Sequence, residues 1–109
     1  MKDLQSAISD AILHEARKWD KKLMHRDIKE VGSVSYVSYK GEPKETTMYS
    51  GKEFDLFVEG SARIWVWETS EKNSWSNRNY TCRCDVTCKF VGDSEVFVIT
   101  KVRNFIILD

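Results

Sequence analysis

Net charge is absent from this chain: seventeen lysines and arginines are matched by seventeen aspartates and glutamates among 109 residues. That balance removes any global electrostatic pull toward nucleic acid or an anionic membrane surface, so neither is expected as a partner. Long apolar runs are missing too. No stretch approaches the roughly 18 consecutive apolar residues of a membrane span, and the opening Met1-Lys2-Asp3-Leu4-Gln5 lacks the apolar core of a signal peptide. The three cysteines are an odd number, which suits a reducing interior better than a disulfide framework. A cytoplasmic location is therefore expected, and the glycosylation-type triplet Asn79-Tyr80-Thr81 is read as a chance match. Repeats, low-complexity segments and linkers are lacking. So are a glycine-rich phosphate loop, an HExxH pair and any triad-type histidine spacing. No catalytic residue, cofactor or metal ligand is assigned on this basis.

What is present is a globular pattern. A chain of this length forms one domain, residues 1–109, and buries roughly two-thirds of its unfolded surface. Leu4, Ala7, Ile8, Ala11, Ile12, Ala16, Trp19 and Leu23 recur at three- and four-residue steps, which predicts an amphipathic helix over residues 3–24. Asp3 caps its start, and Arg17, Lys18, Lys21 and Lys22 complement the dipole at its end.

After Gly32 the pattern turns to β. Residues 34–39 read as a strand, 41–44 as a turn, 46–50 as a second strand and 54–68 as the longest one, with Gly60 marking a bulge or bend inside it. Residues 69–79 read as a polar loop carrying Trp75. Then Tyr80, Cys82, Cys84, Val86, Cys88 and Phe90 alternate with polar residues, which predicts a strand with all three cysteines on its dry face. Along such a strand Cys82 and Cys84 are about 6.6 Å apart and Cys88 about 13 Å further on, too spread to close around one metal, so the thiols are expected to pack as small hydrophobes.

The last strand, residues 95–108, carries two conflicting signals. A two-residue turn at Gly92 puts Phe97, Ile99, Lys101 and Arg103 inside. A three-residue connection aligns Val96, Val98, Val102, Ile106 and Leu108 with the cysteines. Burying two unpaired cations costs several kcal/mol each, so the second register is expected.

One helix followed by about five antiparallel strands predicts an α+β roll, the helix lying on a curved, mostly antiparallel sheet. In the order of its elements this resembles the cystatin-like and NTF2-like folds. The likeness is one of architecture and carries no functional residues with it.

Two features stand out against this background. Glu15 projects between Leu4 and Ile8 on the apolar face of the helix. A carboxylate there either raises its pKa by desolvation or leans toward Lys18 or Lys22. The first alternative makes it a ligand group in a pocket between helix and sheet, with Trp19, Tyr80 and Cys84 as neighbours. The second feature is a band of apolar residues on the sheet face away from the helix: Phe57, Trp65, Trp67, Phe97, Ile99 and Phe105. Apolar patches rimmed by charge mark interaction surfaces. The reading is a small binding module that self-associates as a homodimer through that face and holds a small hydrophobic ligand beside Glu15. An inhibitor- or immunity-type partner for another protein, using the same aromatic face, is the alternative from a different class. A small enzyme using the pocket carboxylate is the third.

Overall fold

The computed structural model describes residues 4–41, 51–93 and 96–108. One helix, α1 (Leu4–Arg17), is followed by β1 (Ile28–Lys40), β2 (Glu53–Trp67), β3 (Trp75–Val91) and β4 (Val96–Leu108). The strands pair antiparallel in chain order, so the sheet is an open meander with β1 and β4 as its edges. The helix lies on one face of it, touching both edge strands and β2. The fold is α+β with four described strands. The strand expected over residues 46–50 falls outside the described residues.

The helix is shorter than its periodicity predicts. It ends at Arg17, with Lys18 N and Trp19 N donating to Glu15 O and Ala16 O in tight i→i+3 bonds. The chain then turns back through Met24 and His25, both left-handed, and Leu23 and Arg26 exchange main-chain hydrogen bonds across that turn. A helix continued to Met24 would run about 10 Å further at 1.5 Å per residue. The reversal instead seals Leu23 in the core at 1 % exposure and delivers the chain to β1.

The centre of the sheet follows the alternation in the sequence. β2 and β3 pair without a register shift from Glu53↔Lys89 to Trp67↔Trp75. Leu56, Val58, Ile64, Cys82, Cys84, Val86 and Cys88, even-numbered residues of the two strands, are buried in one core with Ile8 and Ile12 of α1. β3 starts earlier than expected, so Trp75 belongs to a strand and not to a polar loop. Trp75 pairs with Trp67, and the remaining turn closes through Glu68 N donating to Ser74 O. Gly60 makes no bulge in β2. A side chain there would press on the Tyr36 carbonyl at 3.0 Å and the Ile12 methyl at 3.2 Å, so the glycine is a seat for the helix. The register shifts lie in the neighbouring strand, where β1 slips three times against β2.

β4 resolves its own conflict with two bulges. Phe90 faces Phe97 and Cys88 faces Ile99; then Thr100 is inserted, so that Val86 faces Val102. A second insertion at Asn104, left-handed at φ 56° and donating to Asp85, returns Phe105 and Ile107 to the inner face. Each bulge flips the side-chain alternation. The strand therefore turns Phe97, Ile99, Val102, Phe105 and Ile107 toward the core, Phe97 and Ile107 buried there, while Lys101 and Arg103 point outward. The expected register is corrected: Val98, Ile106 and Leu108 are exposed, and of the residues assigned inward only Val102 is clearly on the inner side.

Candidate functional site

An open groove of about 610 Å³ lies between α1 and the edge strand β4. Ala7, Asp10, Ala11, His14, Glu15 and Lys18 form its helix wall. These are one flank of α1, recurring every three or four residues. The groove exists because Ala7 and Ala11 are too small to fill the gap, whereas Ile8 and Ile12 one step around the helix are fully buried. The opposite wall is residues 96–102 of β4, of which Phe97 is buried and Ile99 and Val102 are half-buried against the core.

Glu15, the carboxylate singled out from the sequence, lines this groove. Its side chain is 29 % exposed and pairs with Lys18 at 3.6 Å, so it leans outward in the second of its two expected arrangements. Its charge still reaches the core. Burial first, then Cys82, Asp85 and Glu15, push the Cys84 thiol up to about 12. Burial likewise raises Cys82 and Cys88 to about 11, which makes all three thiols unreactive at neutral pH.

The other pocket candidates are not assembled around Glu15. Trp19 stands at the end of the helix with its ring edge against Phe105, centroids 5.8 Å apart and Lys21 over its face. It lines a separate cavity of about 290 Å³ with Lys22, Asp27 and Lys72. Tyr80 and Cys84 are core residues of β3, opposite Ala62 and Val58.

The outer face also differs from expectation. Phe57, Trp65 and Trp67 are on it, but Phe97 and Ile99 are turned inward by the hairpin register, opposite Phe90 and Cys88, and Phe105 by the bulge at Asn104. Trp65 is half-buried because it lies over Gly32, where any side chain would collide with its ring. Between the β2 aromatics and the exposed Val98, Ile106 and Leu108 run charged pairs: Arg83 with Glu59 at 2.8 Å and Arg103 with Asp55 at 3.1 Å, the latter shared with Thr87. At one end of the sheet Lys29 lies over the rings of Trp67 and Trp75 at 5.8 and 4.6 Å. Beside it Glu68 accepts hydrogen bonds from Ser76, Arg78 and Arg26, which hold its carboxyl down at about 2.

Sequence reasoning missed most of the groove. Ala7 and Ala11 are read from the sequence only as part of the helix's apolar stripe, and the last strand as a face and not as an edge. The available signal was the pair of alanines at i, i+4 beside a row of isoleucines. Among the described residues no three His, Cys, Asp or Glu side chains converge to hold a metal ion, and no helix is long and apolar enough to cross a membrane. No family model, curated protein or solved structure matches the chain.

Proposed function

We propose that this protein is a binding module that takes its ligand in the groove between α1 and β4. The observation that carries the reading is the groove itself. Its volume falls in the range of about 300–1,000 Å³ typical of ligand sites, and an apolar floor is bordered by a few charged groups. Glu15 and Lys18 act as rim residues that orient a ligand, not as a catalytic pair. The order of elements, one helix and then long antiparallel strands, supports the cystatin- or NTF2-like roll as part of this reading. The buried free thiols support a reducing compartment such as the cytoplasm.

Self-association through the outer face has weaker support. It would rest on Phe57, Trp65 and Trp67 from β2 and Val98, Ile106 and Leu108 from β4, two groups divided by the Glu59–Arg83 and Asp55–Arg103 pairs. Titrating the isotope-labelled protein with a fragment library tests the groove. Shift changes should cluster at residues 7–18 and 96–102 and vanish in Ala11→Trp, whose ring fills the groove from the helix wall. Changes clustered around Phe57 and Trp65 would reject the groove in favour of the outer face.

A further inference from the structure

In the middle of the outer face the polar side chains pair with one another: Arg83 with Glu59, Asn104 with Asp85, and Arg103 with Asp55 and Thr87. The end that carries the tryptophans is different. β4 pairs with β3 only as far as Leu108↔Thr81, so residues 63–67 of β2 lie between β1 and residues 75–79 of β3 alone. There Glu30, Arg63, Asn77 and Asn79 are exposed. None of the four has a side-chain hydrogen bond or ion pair with a described residue. Trp65 stands among them. Its cross-strand partners are Glu30 and Asn77, Arg63 precedes it on the same face opposite Asn79, and Trp67 follows opposite Trp75. The Trp65 ring leans over β1 into the space that a side chain at Gly32 would take. The β1 backbone thus seals one side of the indole and holds it in place, leaving a half-buried apolar plate on the surface. Lys29, over the rings of Trp67 and Trp75, closes the patch at its far end.

A fixed indole ringed by unpartnered polar groups suits one class of ligand. The amides of Asn77 and Asn79 both donate and accept, Arg63 donates only and Glu30 accepts only. Neighbouring strands are about 5 Å apart and alternate residues about 7 Å, so one small ring over Trp65 is within reach of all four. A pyranose with equatorial hydroxyls presents axial C–H groups on its face and hydroxyls, each donor and acceptor, around its rim. It is also uncharged, which fits a patch where Glu30 offsets one of two cations and Lys29 is held over aromatic rings. A nucleic-acid strand would stack on the same indole but needs a basic track for its phosphates, and on this face only Arg63 would begin one. A second copy of the chain needs about 800 Å² per partner around a charge-depleted centre. Here charged or amide side chains adjoin Trp65 on three sides.

We infer that this end of the outer face binds a carbohydrate, an extended β-linked glucan-type chain, with one pyranose stacked on Trp65 and its hydroxyls taken by Asn77, Asn79, Arg63 and Glu30. Equatorial linkages keep successive rings extended, which suits an open sheet face and not a cavity. Gly32 seats the indole before any ligand arrives, so binding orders one fewer side chain. The site is on the opposite side of the sheet from α1 and does not depend on the groove.

The test titrates cellotetraose into the isotope-labelled protein, with maltotetraose and an oligothymidylate as comparators. Cellotetraose should shift the indole N–H of Trp65 and the side-chain amides of Asn77 and Asn79, leave Phe57 and the groove residues unmoved, and bind equally at low and high salt. Maltotetraose, curved by its axial linkages, should bind more weakly. Trp65→Ala should abolish the shifts at the two asparagines. If that variant does not fold, Asn77→Ala, an exposed change, should weaken cellotetraose binding about fivefold, as the loss of one hydrogen-bonding group does. Undiminished affinity in Asn77→Ala or in a folded Trp65→Ala would overturn the site. Equal affinity for the two sugars would overturn the extended-chain assignment. Binding of the oligothymidylate alone, falling steeply with salt, would replace the carbohydrate with a polyanion. Shifts at Trp65 that grow with protein concentration alone would replace it with a second copy. Silence of every probe at millimolar concentration would also overturn the inference.

Discussion

The inner hairpin and the two edge strands of this sheet are built by different rules. β2 and β3 pair through fifteen residues with no slip, and along residues 54–67 and 80–90 the side chains land on the faces that the alternation in the sequence predicts. β1 slips three times and β4 twice, and there the alternation fails. The inner strands are held on both sides by neighbours, so a bulge would break two ladders. An edge strand has one ladder to satisfy and tolerates insertions. What the insertions achieve in β4 is a strand that turns five apolar residues toward the core and still sends both cations outward.

The contrast predicts unequal responses to substitution. Ile64→Ala in the hairpin deletes a fully buried side chain and should cost about 2–5 kcal/mol in denaturant melts. Ile106→Ala on the edge, at 43 % exposure, should cost no more than about 0.5 kcal/mol. Similar losses at both sites would erase the distinction. Gly32 tests how β2 and β1 fit across the outer face. Gly32→Ala forces the Trp65 ring off its seat, which should cost about 1–3 kcal/mol and shift Trp emission to the red.

Asn104 tests whether the second β4 bulge depends on its left-handed residue. Asn104→Val should destabilise by about 1–2 kcal/mol, since a β-branched side chain is strained at φ 56°, while Asn104→Gly should hold the fold. Equal behaviour of the two variants would show that the bulge is set by packing alone. The smallest expected effect concerns the Arg26–Glu68–Arg78 bracket, which ties the α1–β1 turn to the β2–β3 hairpin. Hydrogen bonds from Ser76 and Arg78 hold Glu68 at about 2 against an ordinary 4.5. A depressed carboxyl stabilises above its unfolded pKa, and that stability is lost as pH falls from about 4.5 toward 2. Glu68→Gln should flatten the acid limb of a pH–melting curve in that window, and an unchanged limb would assign acid sensitivity to other carboxylates.

How much was legible follows the same division. The helix, the dry face of β2 and β3 and the burial of Cys82, Cys84 and Cys88 are all written in residue spacing, because period alone fixes which way a side chain points in a regular element. The β4 register was not legible. Its two competing alternations are both partly right, and only the bulges at Thr100 and Asn104 reconcile them. The band of Phe57, Trp65, Trp67, Phe97, Ile99 and Phe105 failed for that reason, losing three of its members to the core. Trp65 stayed outside but gained a partner in Gly32, a contact between strands that no local pattern records.

For the candidate site, the sequence by itself determined that Glu15 sits on the apolar face of the helix, between Leu4 and Ile8, with Lys18 within one turn of it. Only the tertiary structure decided that the flank of Ala7, Ala11 and Glu15 stops short of the edge strand β4. Whether a gap between two elements stays open depends on the distance at which Ile8 and Ile12 hold the helix above the sheet, with Gly60 beneath them. That distance comes from packing between residues far apart in the chain, and so it is absent from any spacing along it.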